Sequence, residues 1–414
     1  MTLRCQLPAY SPLSAASIGH AAVHAFGRGM NGQATLTASL EREYHADRAF
    51  LFGSGTEALQ MALRLAMRQF ANPIVALPAF TCFDVAAAAV GERARLTFYD
   101  VDPNTLSPDL CSLKRALERG ARVAVITPLY GFPVDWDGVA ELVAQHGALA
   151  VEDAAQGGHG DWRGRIVGSM GPLSVLSFGR GKGWTGGSGG ALLVREGGAW
   201  RGLEETLAGV PAGPRGPQAE LRVLGGLAAQ WALGRPTWYA IPRAIPWLRL
   251  GETVYRNPAS PRPMTRAASA CLAATWPNAA HEAATRRRSA AAVLEAITSS
   301  TAIRPITPLP GATPGYLRLP LRLARGLCGF PQPATVTRLG LARSYPSVLA
   351  AIPQVRPFID DSPSGWPGAA ELVRTLWTVP THSLLAPMER SVLVTQLQAY
   401  EERGRSCAPK TAGT

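Results

Sequence analysis

Lysine is nearly absent. Of 41 basic residues in the 414-residue chain only Lys114, Lys182 and Lys410 are lysines, so chemistry that needs a primary amine has few candidates. Cys5, Cys82, Cys111, Cys271, Cys328 and Cys407 show no CxxC or CxxH spacing. That argues against a structural zinc site or a secreted disulfide scaffold, and for a reducing compartment. No window reaches about 18 uninterrupted apolar residues, so no membrane-spanning helix is expected. The opening Met1–Cys5 leads into Pro8, Ser11 and Pro12 without an apolar h-region, so no secretory leader is expected. A soluble cytoplasmic protein, at most attached to a membrane surface, follows as the expectation. No internal repeat is found. Of seven histidines only His20 and His24 stand at helical spacing, where a surface face is the simpler explanation, so no metal site is expected. The excess of basic over acidic residues, 41 − 29 = +12, shows no aromatic interleaving and no reader motif, so nucleic-acid binding is not expected.

What is present supports a buried core: 47% of residues are hydrophobic and 17% charged. The length exceeds what one core usually holds. The division expected is a large domain over 1–195, a Pro-rich and apolar bridge over 196–263, and a smaller domain over 264–414. From about residue 35 to 195 helix-like and strand-like segments alternate, with short apolar strands expected at Ile74–Leu77, Arg95–Tyr99, Val123–Ile126, Leu149–Val151, Val175–Phe178 and Ala191–Val194. Helices are expected at 37–46, Glu57–Phe70, Asp109–Arg119 and Asp135–Gln145. This alternation implies an α/β fold with a mostly parallel sheet covered by helices on both faces, its ligand site beyond the strands' carboxyl ends. The apolar stretch Leu224–Leu250, interrupted by Arg235, Arg243 and Arg249, reads either as a buried bridge or as an interfacial element touching lipid. Further on, a long Ala-rich helix over Met264–Ile297, a strand over Tyr316–Leu323, a helix over Met388–Glu402 and a frayed tail from Ala408 are expected.

Three segments carry chemistry. In Ser177-Phe-Gly-Arg-Gly-Lys-Gly-Trp-Thr-Gly-Gly-Ser-Gly-Gly190 a strand ends in a hydroxyl and a glycine-rich turn holds one lysine. Glycines let backbone approach a ligand closely, and a crowded, desolvated lysine exposes its free amine for covalent attachment to an aldehyde. The competing explanation is a flexible loop with an incidental charge. In Val151-Glu-Asp-Ala-Ala-Gln156 a carboxylate closes an apolar strand, where an aspartate can pair with a protonated pyridine nitrogen or simply cap the next helix. Gly53-Ser-Gly-Thr56 at a helix start can cradle an anion or be an ordinary turn.

Taken in order, these residues make the chain similar to the DegT/DnrJ/EryC1/StrS family of pyridoxal-phosphate sugar aminotransferases, in the fold type I, aspartate-aminotransferase-like group. Ser54-Gly-Thr-Glu-Ala-Leu59 matches its S-G-T-x-A-L, Pro78-Ala-Phe-Thr81 its P-x-[YF]-T, and Asp100-Val-Asp-Pro-Asn-Thr-Leu106 its D-V-D-P-x-T-L. Tyr130-Gly-Phe-Pro-Val-Asp135, Glu152–Gln156, Val167-Gly-Ser169 and the Ser177, Phe178, Lys182 spacing continue the likeness. Weaker echoes run through Arg286–Arg288, Tyr345-Pro346 and Val379–His382. The resemblance implies Lys182 as the residue that binds the cofactor aldehyde and shuttles the proton, with Asp153 on the ring nitrogen. It implies Gly55, Thr56 and Ser177 at the phosphate and Gln156 against the ring. Cys82, flanked by Phe80 and Phe83, occupies the place of the family's ring-stacking aromatic. Ser188 stands where the family often has glutamate, and Gly158 where it often has histidine, with His159 one place later. The segment that reaches the neighbouring subunit has its nearest candidate in Gly251–Arg256.

The resemblance further implies a homodimer that transfers an amino group from glutamate or glutamine to a keto sugar nucleotide, for polysaccharide or amino-sugar biosynthesis. Lys182 favours this over the family's histidine-bearing dehydratases. Arginines near 235–266 and 286–288 could line a diphosphate site, though a solvated helix face explains most of them more simply. The alternative is a non-catalytic or lipid-linked-substrate relative that docks on a membrane-associated glycan assembly through residues 196–263.

Overall fold

A computed structural model describes residues 4–27, 32–195, 200–210, 216–245, 253–360 and 365–406. Fourteen helices and fourteen strands are described. The chain runs α1 (Ala15–Phe26), α2 (Gly32–Glu43), β1 (Arg48–Phe52), α3 (Gly55–Met67), β2 (Ile74–Pro78), α4 (Phe83–Gly91), β3 (Arg95–Tyr99), α5 (Leu110–Glu118) and β4 (Ala121–Ile126). It continues through α6 (Trp136–Gln145), β5 (Leu149–Asp153), β6 (Asp161–Trp162), β7 (Arg165–Ile166), β8 (Leu173–Ser177), β9 (Gly190–Val194), α7 (Leu203–Ala208), α8 (Pro217–Leu233) and α9 (Ala240–Arg243). Then follow α10 (Arg266–Thr275), α11 (Ala279–Ala296), β10 (Ile303–Pro305), β11 (Ala312–Thr313), β12 (Leu319–Leu323), α12 (Pro333–Arg338), β13 (Ala342–Arg343), α13 (Pro367–Thr375), β14 (Leu376–Val379) and α14 (Pro387–Ser406).

The main sheet has seven strands in the order β1-β9-β8-β5-β4-β2-β3. Only β9 runs against the rest, pairing antiparallel with both β1 and β8. Strand β2 is buried at every position, as expected of an apolar strand covered on both faces. One face meets α3 and α4 through Leu59, Leu63, Val85 and Phe98; the other meets α5 and α6 through Leu113, Leu117, Val139 and Val143. Side-chain oxygens set the helix starts: Ser54 accepts from Glu57 N, Asp109 from Ser112 N and Asp135 from Gly138 N. These caps point the helix N-termini to one end of the sheet.

A second sheet, β10-β12-β14-β13, joins the first through a small three-stranded sheet, β11-β6-β7. Ile352, Val355, Leu372 and Leu376 enter the same core cluster as Val75 and Leu77 of the first sheet, so the two sheets share apolar packing. Cys5 N donates to Pro236 O and Gln6 N to Arg338 O, which lays the amino-terminal segment against later parts of the chain.

Several expectations change. Strand β1, missed in the sequence, is a short run with exposed Arg48 at its start, and its alternation is blurred because both faces are partly covered. The long Ala-rich helix is two helices, broken at Trp276-Pro277 where proline cannot donate to the preceding turn. The strand expected from Tyr316 starts at Leu319, because Tyr316 takes a left-handed φ of 44°. Within the expected bridge over 196–263, helix α8 buries only Glu220 and Leu227. Arg249, Gly251, Glu252, Pro211, Pro214, Pro246, the end of the apolar stretch at 246–250, Cys407, Lys410 and the tail from Ala408 lie outside the described residues. Among the described residues no helix is long and apolar enough to cross a membrane.

Glu152 shows how one carboxylate fixes the end of the sheet. It is 1% exposed and accepts from Gly168 N at 2.7 Å, Met170 N at 2.9 Å, Gly171 N at 3.4 Å and Ser174 Oγ at 2.8 Å. Replacing it with alanine leaves buried donors unpaired. Glu152→Ala is therefore expected to lose on the order of 3–5 kcal/mol, read as a lower urea midpoint, with Glu152→Gln losing less.

Candidate functional site

Beyond the carboxyl ends of β5 and β8, and against the start of α3, lies a cavity of about 350 Å³. Gly55, Thr56, Cys82, Asp153, Gln156, Ser177 and Lys182, nominated from the sequence at widely spaced positions, all line it. Asp84, Arg180 and Arg256 line it as well. Arg180 lies inside the glycine-rich segment already singled out, two residues before the lysine. Asp84 sits in the first turn of α4, just after the Pro78–Thr81 motif, which was its one signal. Arg256 faces the cavity of its own chain, whereas its segment was nominated for a neighbouring subunit.

Local sequence explains the geometry. The helix α3 opens over the end of β8, and Gly55 makes the approach possible: a Cβ there would stand 2.7 Å from Ser177 Cβ and 2.8 Å from its Oγ. Unpaired N–H groups of a first helical turn beside two hydroxyl residues form an anion cradle. The loop between the antiparallel neighbours β8 and β9 carries Lys182 back over the sheet end. Its backbone is clasped by buried Ser11, whose Oγ accepts from Lys182 N at 3.0 Å and Gly183 N at 3.1 Å. No sequence signal marked Ser11 for this role.

Strand alternation separates the two neighbouring carboxylates of β5. Glu152 goes to backbone donors, while Asp153 faces the cavity and accepts from Ala155 N at 3.2 Å. Burial pushes the Asp153 carboxyl up to about 6; the Lys182 ammonium pulls against that, and Asp84 and Glu152 add to it. The Cys82 thiol is pushed up to about 12, first by burial and then by the Asp84 carboxylate. Its Sγ lies 3.7 Å from Asp84 Oδ2. Neither flanking phenylalanine lines the cavity: Phe80 is fully buried edge-on to Tyr345 and Phe83 is in the core. The thiol itself forms that wall.

Gln156 is held at both ends, Oε1 accepting from Tyr130 N at 3.3 Å and Nε2 donating to Tyr345 OH at 2.6 Å. Tyr130 and Tyr345 are stacked, and Tyr130 bonds Ser344. His159 is tucked edge-on against Trp184, its pKa lowered to about 4 by burial, with Arg286 and Arg287 adding to the effect. Arg286 is not a solvated helix face. It is 1% exposed and donates to Gly315 O and Gly158 O, so a buried guanidinium ties two loops together. Arg288 is exposed, as expected for a solvated face. His20, exposed, and His24, half-buried, are neighbours on α1, and no group of residues that could hold a metal ion occurs among those described.

The fold is that of solved pyridoxal-phosphate aminotransferase structures. It superposes on DesV from S. venezuelae with a TM-score of 0.72 at 20% identity, covering 94% of this chain and 95% of that one. It superposes on 3-amino-5-hydroxybenzoic acid synthase with a TM-score of 0.71 at 18% identity, covering 97% and 100%. The family resemblance read in the sequence is borne out: residues 30–205 match the model of the DegT/DnrJ/EryC1/StrS aminotransferase family. The L-glutamine:2-deoxy-scyllo-inosose aminotransferase of Streptomyces kanamyceticus is 32% identical over 143 residues, 34% of this chain and 33% of that protein. The UDP-N-acetyl-3-dehydro-alpha-D-glucosamine 3-aminotransferase of Acidithiobacillus ferrooxidans is 33% identical over 125 residues, 30% and 34% of the two chains. The match spans about a third of the length of these curated relatives.

Removing the Ser11 hydroxyl leaves the Lys182 and Gly183 N–H groups without their acceptor. Ser11→Ala is expected to weaken local protection of these amides by about 1–3 kcal/mol, measured by hydrogen exchange, with a smaller change in global unfolding.

Proposed function

We propose that the chain is a pyridoxal-phosphate-dependent aminotransferase that moves an amino group from glutamate or glutamine to a keto sugar. We take the acceptor to be nucleotide-linked, the enzyme to be a cytoplasmic homodimer, and the product to serve polysaccharide or amino-sugar biosynthesis. One observation carries the reading: Lys182, one of three lysines in the chain, shares a cavity with buried Asp153 and the N-terminus of α3. The donor set fits the cofactor. A Cβ at Gly55 would fill the cradle, and a carboxyl that burial keeps above its usual range gains a reason to ionise from a cationic ring nitrogen. Relatives named for a glutamine donor and for keto-sugar amination support the substrate class.

Gly55, Thr56 and Ser177 would hold the phosphate, Asp153 the ring nitrogen, and Lys182 the aldehyde carbon. When bound, pyridoxal phosphate supplies an aldehyde and an electron-withdrawing ring. Asp153 would keep a proton on that ring nitrogen. The Lys182 amine would hold and move a proton at Nζ. Gln156, fixed between Tyr130 and Tyr345, would lie against the ring, and Cys82, which lines the same cavity, would offer it a small apolar contact.

Borohydride treatment of the coloured protein followed by peptide mapping is expected to place a pyridoxyl group on Lys182. Lys182→Ala should lose this adduct and lower turnover by at least about 10³-fold; an adduct at Lys114 or Lys410 would overturn the assignment.

Asp153 gives a pH signature. Because its folded pKa is raised, its contribution to stability without cofactor is present at acid pH and is lost as pH rises through about 6. A cationic ring nitrogen favours the ionised carboxyl. Cofactor affinity is therefore expected to fall as pH drops below about 6, and Asp153→Asn to bind weakly with a flatter profile, both read by titrating the visible absorbance.

A further inference from the structure

The outward side of α8 and α9 combines apolar and cationic groups without an accessible acid. Among the described residues, Leu221, Leu233, Trp238 and Ile241 on this segment are large hydrophobics left 57%, 39%, 54% and 53% exposed. Val23 and Phe26, also exposed, lie on α1, which packs against α8. Between these side chains the exposed positions of α8 include Gly225, Ala228, Ala229 and Ala232, which offer no hydrogen-bonding group. The one acid of residues 216–245 is Glu220, buried, with its oxygens accepting from Arg266 N and Ala267 N at the start of α10. The cations Arg222 and Arg235 are exposed, Arg235 over the Trp231 ring at 4.4 Å; Arg243 is exposed as well, with one N–H group donating to Thr337 O at 3.0 Å.

This composition selects among partners. A second copy docked on the same face about a two-fold axis would set arginine against arginine, with no carboxylate to pair. An acidic protein would answer the arginines but leave the run of small and large apolar side chains facing polar groups. A bilayer with anionic headgroups supplies both components, phosphates for guanidinium groups and acyl chains for leucine, isoleucine and tryptophan. We propose that α8 and α9 bind an anionic phospholipid surface, lying in its plane. The binding is peripheral, since no described helix can span a bilayer.

The inner side of α8 connects this surface to the site. Its buried Leu227 presses on Gly187, where an added Cβ would stand 2.6 Å from Leu227 Cδ2, and Gly187 takes a φ of 79° as it lines the cavity. The lysine loop thus lies about one helix diameter, roughly 10 Å, from the bound membrane.

Flotation of the full chain with vesicles tests this. Wild-type protein is expected to float with equal phosphatidylglycerol and phosphatidylcholine, to float poorly with phosphatidylcholine alone, and to release as salt rises toward about 0.5 M. The triple variant L221E/W238E/I241E should bind at least about tenfold more weakly, while M388E/V392E, altered at exposed positions of α14, should bind like wild type. Circular dichroism confirms that the variants remain folded, as expected for exposed positions. Undiminished flotation of the triple variant, or wild-type flotation indifferent to phosphatidylglycerol, overturns the proposal. So does a wild-type protein that fails to float but whose triple variant sediments as a smaller species, which would make this face a contact between copies. None of these results depends on turnover, so a failure here leaves the aminotransferase reading intact.

Discussion

The packing of Glu152 against three backbone donors and a hydroxyl is the constraint on which the site rests. Those donors belong to the turn that leads into β8, so the carboxylate fixes where β8 begins relative to β5. With that register set, Asp153 at the end of β5 and Ser177 at the end of β8 come to the same edge of the sheet. A one-residue slip would turn both side chains away. The adjacent Asp153 faces the cavity, while its neighbour is wholly taken up by structure.

Low dielectric decides the electrostatics on both sides of that edge. Asp153 is held above its ordinary range because little water remains to solvate it, and Lys182 only partly offsets this. Burial lowers the Arg286 pKa to about 10, and carbonyl oxygens accept from a guanidinium that stays cationic at neutral pH. His159 answers by staying neutral. Three ionisable groups near one loop therefore respond to burial in three ways, and only the aspartate is placed to gain from an incoming cation.

The sequence made the first sheet legible because its strands are short, uniformly apolar runs bounded by prolines, glycines and capping acids. Strands β3 and β9 fell within a residue of expectation for that reason. The cavity residues were legible through motif order, since glycine, hydroxyl, carboxylate and lysine recur at the ends of successive elements. What could not be read depended on contacts between distant segments. Ser11 looks like any serine in a proline-rich stretch until the loop at 182 is folded against it. Arg286 looks like one of three surface arginines until the carbonyls of Gly158 and Gly315 converge on it. Residues 216–245 carry helix formers and apolar side chains in proportions that suit burial, and only their position on the outside distinguishes them from core.

The clasp on the lysine loop ties readiness to the order of synthesis. Ser11 belongs to a stretch whose neighbours, Gln6 and Leu7, are pinned by Arg338, Leu384, Glu389 and His382. On a ribosome those partners emerge more than three hundred residues after Ser11 does. The nascent sheet can assemble early, yet the loop that carries Lys182 gains its final support only after residues 338–389 have emerged. Partly made chains would thus possess a shaped crevice while lacking the rigidity to use it.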